Sequence, residues 1–142
     1  MKMVVLATAA ALGVCLAQAC SDTSAESRGY LHKDLSEQMD TLAVYQDAMG
    51  AEIKAGRLAD AAWYLEGLDS VFSVISDQIN EHHNLQRPFS EYYQKKLEKP
   101  MQGIRQSIEQ NDTAAALNQY KLLVNRCNSC HRELGVLEKA HY

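Results

Sequence analysis

The stretch 112–134, DTAAALNQYKLLVNRCNSCHREL, opens with residues that favour a helix start and continues without proline or glycine. Its apolar or chemically distinctive side chains recur every three or four residues, which is the repeat of one helix face. They are Ala116, Tyr120, Leu123, Cys127, His131 and Leu134. The pattern predicts an amphipathic helix from the Asn111-Asp112-Thr113 cluster to about Glu138. Two thiols and an imidazole lie on its core-facing side.

The Cys127-Asn128-Ser129-Cys130-His131 run has the Cys-x-x-Cys-His spacing that marks covalent attachment of c-type haem. Residues at i, i+3 and i+4 share one helix face, so Cys127, Cys130 and His131 can all address one flat cofactor. The two thiols would form thioethers with the haem, and His131 would be the proximal iron ligand. We therefore expect one covalent haem c.

Three other interpretations of this run stay open. A thioredoxin-like redox pair is typical of a βαβ context, which this sequence does not indicate. Half of a zinc site would need a second pair of ligands, and neither His32, the His82-His83 pair nor His141 forms a partner motif. The third interpretation is an incidental match in a helix.

Three further amphipathic segments precede this helix, at about 30–55, 58–84 and 88–110, and none reads as a strand. Gly56 is expected to end the first, and Pro100 to kink or break the third. Four helices joined by short turns predict an all-α fold, an antiparallel up-down-up-down four-helix bundle. The haem would lie near the end of the last helix.

The N-terminus predicts export. Residues 1–19 have a positive start, an apolar stretch and a small-residue cleavage site, as in a signal peptide. Cys20 follows directly, in an imperfect lipoprotein box, and ordinary cleavage would leave it as a lone thiol. We favour lipidation of Cys20, a flexible tether over 20–29 and a haem-binding bundle over 30–142. The expected location is the periplasm, with the membrane reached only through a lipid anchor.

Composition narrows the functional classes. The 142 residues carry a formal net charge of −4, which gives no basic footprint for nucleic acid. The chain shows no nucleophile–base pair, no carboxylate dyad and no glycine-rich phosphate loop, so we do not expect an enzyme.

Four helices with a Cys-x-x-Cys-His run near the end of the last, behind an export signal, resemble the cytochrome c-prime class of four-helix c-type cytochromes. The resemblance covers the architecture from about Leu31 to Leu137, and its only specific motif is the Cys127–His131 run. It implies covalent haem, a distal face lined by the first helix and bundles that often pair into homodimers.

The distal side follows from the expected topology. His131 is about 19 residues into its helix, so the facing depth on an antiparallel first helix is near residue 36. Met39 is a candidate sixth ligand and His32 a second, while an open or apolar distal site is the third alternative. The candidates for the pocket wall are Leu35, Ile79, His82, Phe89, Tyr92 and Tyr93. Those for the haem propionates are Arg126, Arg132, Lys33 and Arg87.

The leading functional hypothesis is a monohaem carrier that exchanges one electron with redox partner proteins. The first alternative is a five-coordinate haem protein that binds nitric oxide or carbon monoxide. The second alternative is a non-haem helical lipoprotein that serves as a scaffold. The three differ in whether haem is attached and whether a side chain occupies the sixth iron position.

Overall fold

The computed structural model describes residues 34–137 and 139–141, and all regular structure in these residues is helical. Helix α1 spans Leu35–Lys54 and α2 spans Leu58–Gln78. The third long helix consists of α3 (Phe89–Tyr92), a π-helical turn (Tyr93–Leu97) and α4 (Glu98–Glu109), which follow one another directly. The fourth is α5, Thr113–Glu133. The all-α class with four long helices is thus confirmed.

Several predictions on the N-terminal residues cannot be compared with the structure. The signal peptide (1–19), the lipidation site Cys20, the tether (20–29) and the distal candidate His32 lie outside the described residues. Within the described part of the chain, no helix is long and apolar enough to cross a membrane.

The helix ends follow local backbone chemistry. Gly56 adopts a left-handed conformation with φ 73°, and the N–H groups of Gly56 and Arg57 donate to the carbonyls of Ile53 and Glu52. This pair of hydrogen bonds is the Schellman motif, which satisfies free carbonyls at a helix C-terminus. The predicted stop at Gly56 is therefore confirmed. Gly135, with φ 69°, ends α5 in the same way, so the helix ends at Glu133 rather than near Glu138.

The start of α5 is capped as predicted. The carboxylate of Asp112 accepts a hydrogen bond of 2.9 Å from the backbone N–H of Ala115. This bond satisfies one of the first N–H groups of the helix, which have no partner within the helix.

Helix α2 ends earlier than predicted, at Gln78 instead of about Asn84. The physical reason is that Asn80 forms hydrogen bonds with the start of the third helix. Its backbone carbonyl accepts from Phe89 N–H, and its side-chain oxygen accepts from Ser90 N–H, both at 2.9 Å. Asn80 therefore caps the start of the third helix, and the residues after it form a non-helical connection.

The third helix continues through Pro100, so of the expected kink or break, the break is wrong. Proline lacks an N–H and its ring crowds the carbonyl four residues earlier, which here belongs to Lys96. The chain accommodates this in the π-helical turn just before Pro100, where Glu98 N–H donates to the carbonyl of Tyr93 five residues back. The wider turn changes which side chains of the third helix face α5.

The helices share one apolar core. Helix α1 packs against α2 and α5, and α4 packs against the same two helices. The predicted apolar seams of α1 and α5 are largely buried. In α1 the buried members are Leu35, Leu42, Gln46, Met49 and Ile53, and in α5 they are Ala116, Tyr120 and Leu123.

One contact in this core is unusually close. A Cβ atom placed on Gly50 of α1 would lie 2.2 Å from the hydroxyl oxygen of Tyr120 and 2.3 Å from the ring carbon that bears it. Tyr120 is only 1% exposed. Its hydroxyl is bonded to the side chain of Gln46 and to the backbone carbonyl of His141. Burial and these hydrogen bonds hold the ring in place, so α1 and α5 can approach this closely only with glycine at position 50.

We predict that Gly50→Ala lowers the free energy of unfolding by about 1–3 kcal/mol, the usual cost of overpacking a core. The direction of this change in stability is informative, because alanine in a helix is otherwise more stabilising than glycine by about 1 kcal/mol. Chemical denaturation measures the change. The control is Ala51→Gly at the exposed neighbouring position, which should cost about 1 kcal/mol through helix propensity alone. A stabilised Gly50→Ala protein would contradict the contact.

Candidate functional site

A cavity of about 550 Å³ lies among the start of α1, the connection after α2, the third helix and the end of α5. The two cysteines and the histidine of the Cys127–His131 run all line it. Much of the remaining wall is apolar and includes Leu35, Met39, Phe72, Phe89, Leu97 and Leu123. Its volume falls within the range of about 300–1,000 Å³ that is usual for small-molecule and cofactor pockets.

The pattern of α5 explains why the motif faces this cavity. Ala116, Tyr120 and Leu123 are buried against the other helices, and the same face continues to Cys127 and His131. At that depth the face is half-buried and forms cavity wall instead of close-packed core. The helical register thus places the motif's reactive groups at the cavity.

Both motif cysteines are free thiols, and both are half-buried. Burial, with a smaller contribution from the nearby Cys130, raises the pKa of the Cys127 thiol to about 12. Burial also raises the pKa of Cys130, although Lys96 opposes this shift. Thioredoxin-like cysteines instead have a lowered pKa, because the thiolate is the reactive form. The described residues contain no strand, so the βαβ context typical of a thioredoxin-like pair is not found in this part of the chain.

The distal and wall candidates divide into two groups. Met39 is half-buried and Leu35 is buried, and both line the cavity. Ile79 and Tyr93 do not line it; Tyr93 lies against the ring of Phe72, 5.3 Å between centroids, and borders a separate shallow cavity. Arg126 and Arg132 are exposed and are likewise not part of the wall.

The connection after α2 adds two histidines to the wall. On a helix, adjacent histidines would point to different sides, but His82 and His83 follow the helix end and both line the cavity. Their ring centroids are 4.1 Å apart. His82 Nδ1 accepts from Asn84 N–H at 3.3 Å, and its Nε2 lies 3.7 Å from the carboxylate of Asp34. His82 was expected in the wall, whereas His83 was not, because the helix was expected to continue past Gln78.

The C-terminal residues after Gly135 fold back and complete the wall. Val136, Lys139 and Ala140 line the cavity. The side chain of Asn128 donates to the carbonyl of Ala140 at 3.0 Å and accepts from its N–H at 2.9 Å. The backbone carbonyl of His141 accepts from Gln46 at 2.8 Å. This C-terminal tail, residues 136–137 and 139–141, was not predicted, because no sequence pattern links it to Asn128 or Gln46.

The residues present fit a haem group. Two thiols and an imidazole converge on one cavity whose wall is largely apolar, and the motif supplies the ligand types that c-type haem uses. In the described residues, no group of three or more histidine, cysteine, aspartate or glutamate side chains is arranged to hold a metal ion directly. A zinc site therefore finds no support in this part of the chain.

Comparisons of the chain with protein-family models, with curated proteins and with solved structures give no match.

We predict that Asn128→Ala releases the tail from α5. The change removes two hydrogen bonds, each with a net value of about 0.5–1.5 kcal/mol, so backbone amide exchange at Ala140 should accelerate about tenfold or more. Hydrogen exchange read by NMR measures this. Asn118→Ala, at an exposed position earlier on α5, is the matched control and should leave Ala140 unchanged. Equal exchange rates in the two variants would show that Asn128 does not hold the tail.

Proposed function

We propose that this chain is an exported c-type cytochrome that carries one electron between redox partner proteins. Haem c would be attached through Cys127 and Cys130, with His131 as proximal iron ligand, near the end of the last helix of an antiparallel up-down-up-down bundle. The observation that carries the proposal is that both thiols and the imidazole line one largely apolar cavity of about 550 Å³. Export and lipidation at Cys20 rest on the sequence alone.

When bound, haem supplies an iron that accepts and releases one electron. The chain's own contribution is to attach the group, orient it and shield it from water. Buried Leu97 and Leu123 and the core residue Phe72 form apolar wall, which lowers the local dielectric around a bound cofactor. The exposed position of Asp34 and Ala43 at the α1 side leaves part of the wall close to solvent, where an electron can pass to a partner.

We further propose Met39 as the sixth iron ligand. It is supported by its place in the wall of the same cavity as His131. Met49 of the same helix, by contrast, is fully buried and lies outside that wall. A His/Met ligand pair raises the reduction potential, which suits an electron carrier.

The first test is covalent haem. Protein exported from a host with cytochrome c maturation should carry one haem that survives denaturation and appears in the intact mass. Cys127→Ser should lose one thioether and attach haem poorly. Cys127 is replaced by a group of nearly the same size, so a loss of haem is not explained by repacking. A wild-type chain without covalent haem would reject the cytochrome proposal and favour a non-haem scaffold.

The second test concerns the sixth ligand. Met39→Leu should convert a low-spin spectrum that is insensitive to carbon monoxide into a high-spin, carbon-monoxide-sensitive one. Met49→Leu, the same swap on the same helix, should leave the spectrum unchanged. Both swaps conserve volume and cost less than about 1.5 kcal/mol. A high-spin wild-type spectrum would reject Met39 ligation and favour the gas-binding alternative.

A further inference from the structure

Lys96 is the part-buried cation of the cavity wall. It lies on the π-helical turn, its side chain is 15% exposed, and it lines the cavity. Its ammonium group donates to Ser129 Oγ at 3.3 Å and forms an ion pair with Glu133. Ser129 is a spacer between the two motif cysteines, so this positive charge lies directly beside the haem-attachment segment.

Arg87 supplies a second cation at the same place. Its guanidinium lies 4.4 Å from the ring centroid of Tyr92, and that ring is part of the cavity wall. One of its terminal nitrogens is 3.6 Å from the Glu133 carboxylate. Its Nε is buried and has no hydrogen-bond partner within the described part of the chain. Buried donors are normally paired, so an unpaired one indicates a missing acceptor.

The charges in this cluster do not balance. Lys96 and Arg87 share the single carboxylate of Glu133, which leaves one positive charge in excess. On the α1 side, the wall instead contains the carboxylates of Asp34 and Asp40. A ligand that carries both an apolar body and carboxylate groups would therefore direct its carboxylates away from α1 and toward the two cations.

We infer that Lys96 and Arg87 form a carboxylate-binding site at the cavity rim that holds a propionate group of the haem. The inference rests on the proposed function and fixes the orientation of the ring in the cavity. Of the four sequence-based candidates for this role, the site retains Arg87, whose guanidinium lies over the wall residue Tyr92, and it adds Lys96 of the wall itself. Arg126 and Arg132 are exposed, and Lys33 lies outside the described residues. Guanidinium and ammonium groups form strong, charge-assisted hydrogen bonds with carboxylates.

The test uses the haem-loaded protein and the variant Lys96→Met, which keeps the length of the side chain but removes its charge. A propionate without its cation leaves negative charge near the iron and favours the oxidised form. We expect the equilibrium constant for reduction to fall by up to about tenfold, or about 59 mV for a one-electron couple. The propionate bending band in the resonance Raman spectrum should shift as well. Spectroelectrochemical titration gives the potential.

The matched control is Lys95→Met on the same turn. Lys95 is exposed, pairs with Glu91 at 3.1 Å and does not line the cavity, so both readouts should stay at their wild-type values. Lys96→Arg keeps the charge and should restore both. Arg87→Gln is the second test variant and should shift the Raman band even where Lys96→Met does not accumulate.

The possible results distinguish failure of the carboxylate-binding site from failure of the cytochrome proposal. Haem-loaded Lys96→Met and Arg87→Gln proteins with the potential and Raman band of Lys95→Met would overturn the carboxylate site and leave the cytochrome proposal intact. A wild-type chain that attaches no haem would overturn both.

Discussion

The close approach of α1 and α5 at Gly50 and Tyr120 sets the geometry on which the cavity depends. The backbone of α1 meets the hydroxyl end of the Tyr120 side chain there, and that hydroxyl is bonded to Gln46 and to the backbone of His141. Two to three turns toward the start of α1, the same helix contributes Leu42 and Met39 to the cavity wall, and both also pack in or against the core. The helices are thus in close contact near Gly50 and surround a cavity near the start of α1, so one bundle contains both a close-packed core and a pocket.

The parts of the structure that follow from local pattern could be predicted from the sequence. The seams of α1 and α5, the cap at Asp112 and the stop at Gly56 each depend on residues within one or two turns, where side-chain period and backbone conformation decide the outcome. The position of Cys127 and His131 on the core-facing side of α5 follows from the same period. For that reason the pattern of one helix was enough to predict that these candidate haem-attachment residues face the core side of α5.

The remainder of the site depends on contacts between distant segments. Asn80 ends α2 early because it bonds to the start of the next helix, and this brings His82 and His83 to the cavity. The π-helical turn before Pro100 carries Lys96, which donates to Ser129, whereas the sequence indicated only that Pro100 would kink or break the helix. Neither effect leaves a period in the sequence, so side-chain candidates chosen by register, such as Tyr93 and Arg132, lie elsewhere.

The C-terminal tail has a consequence for the order of assembly. Its partners, Gln46 on α1 and Tyr120 and Asn128 on α5, are close together only after these two helices have packed. Contacts that span so much of the chain form late, because loop closure must come first. The wall that Val136, Lys139 and Ala140 contribute is therefore completed only after α1 and α5 have packed, and the cavity stays open on that side until the tail binds.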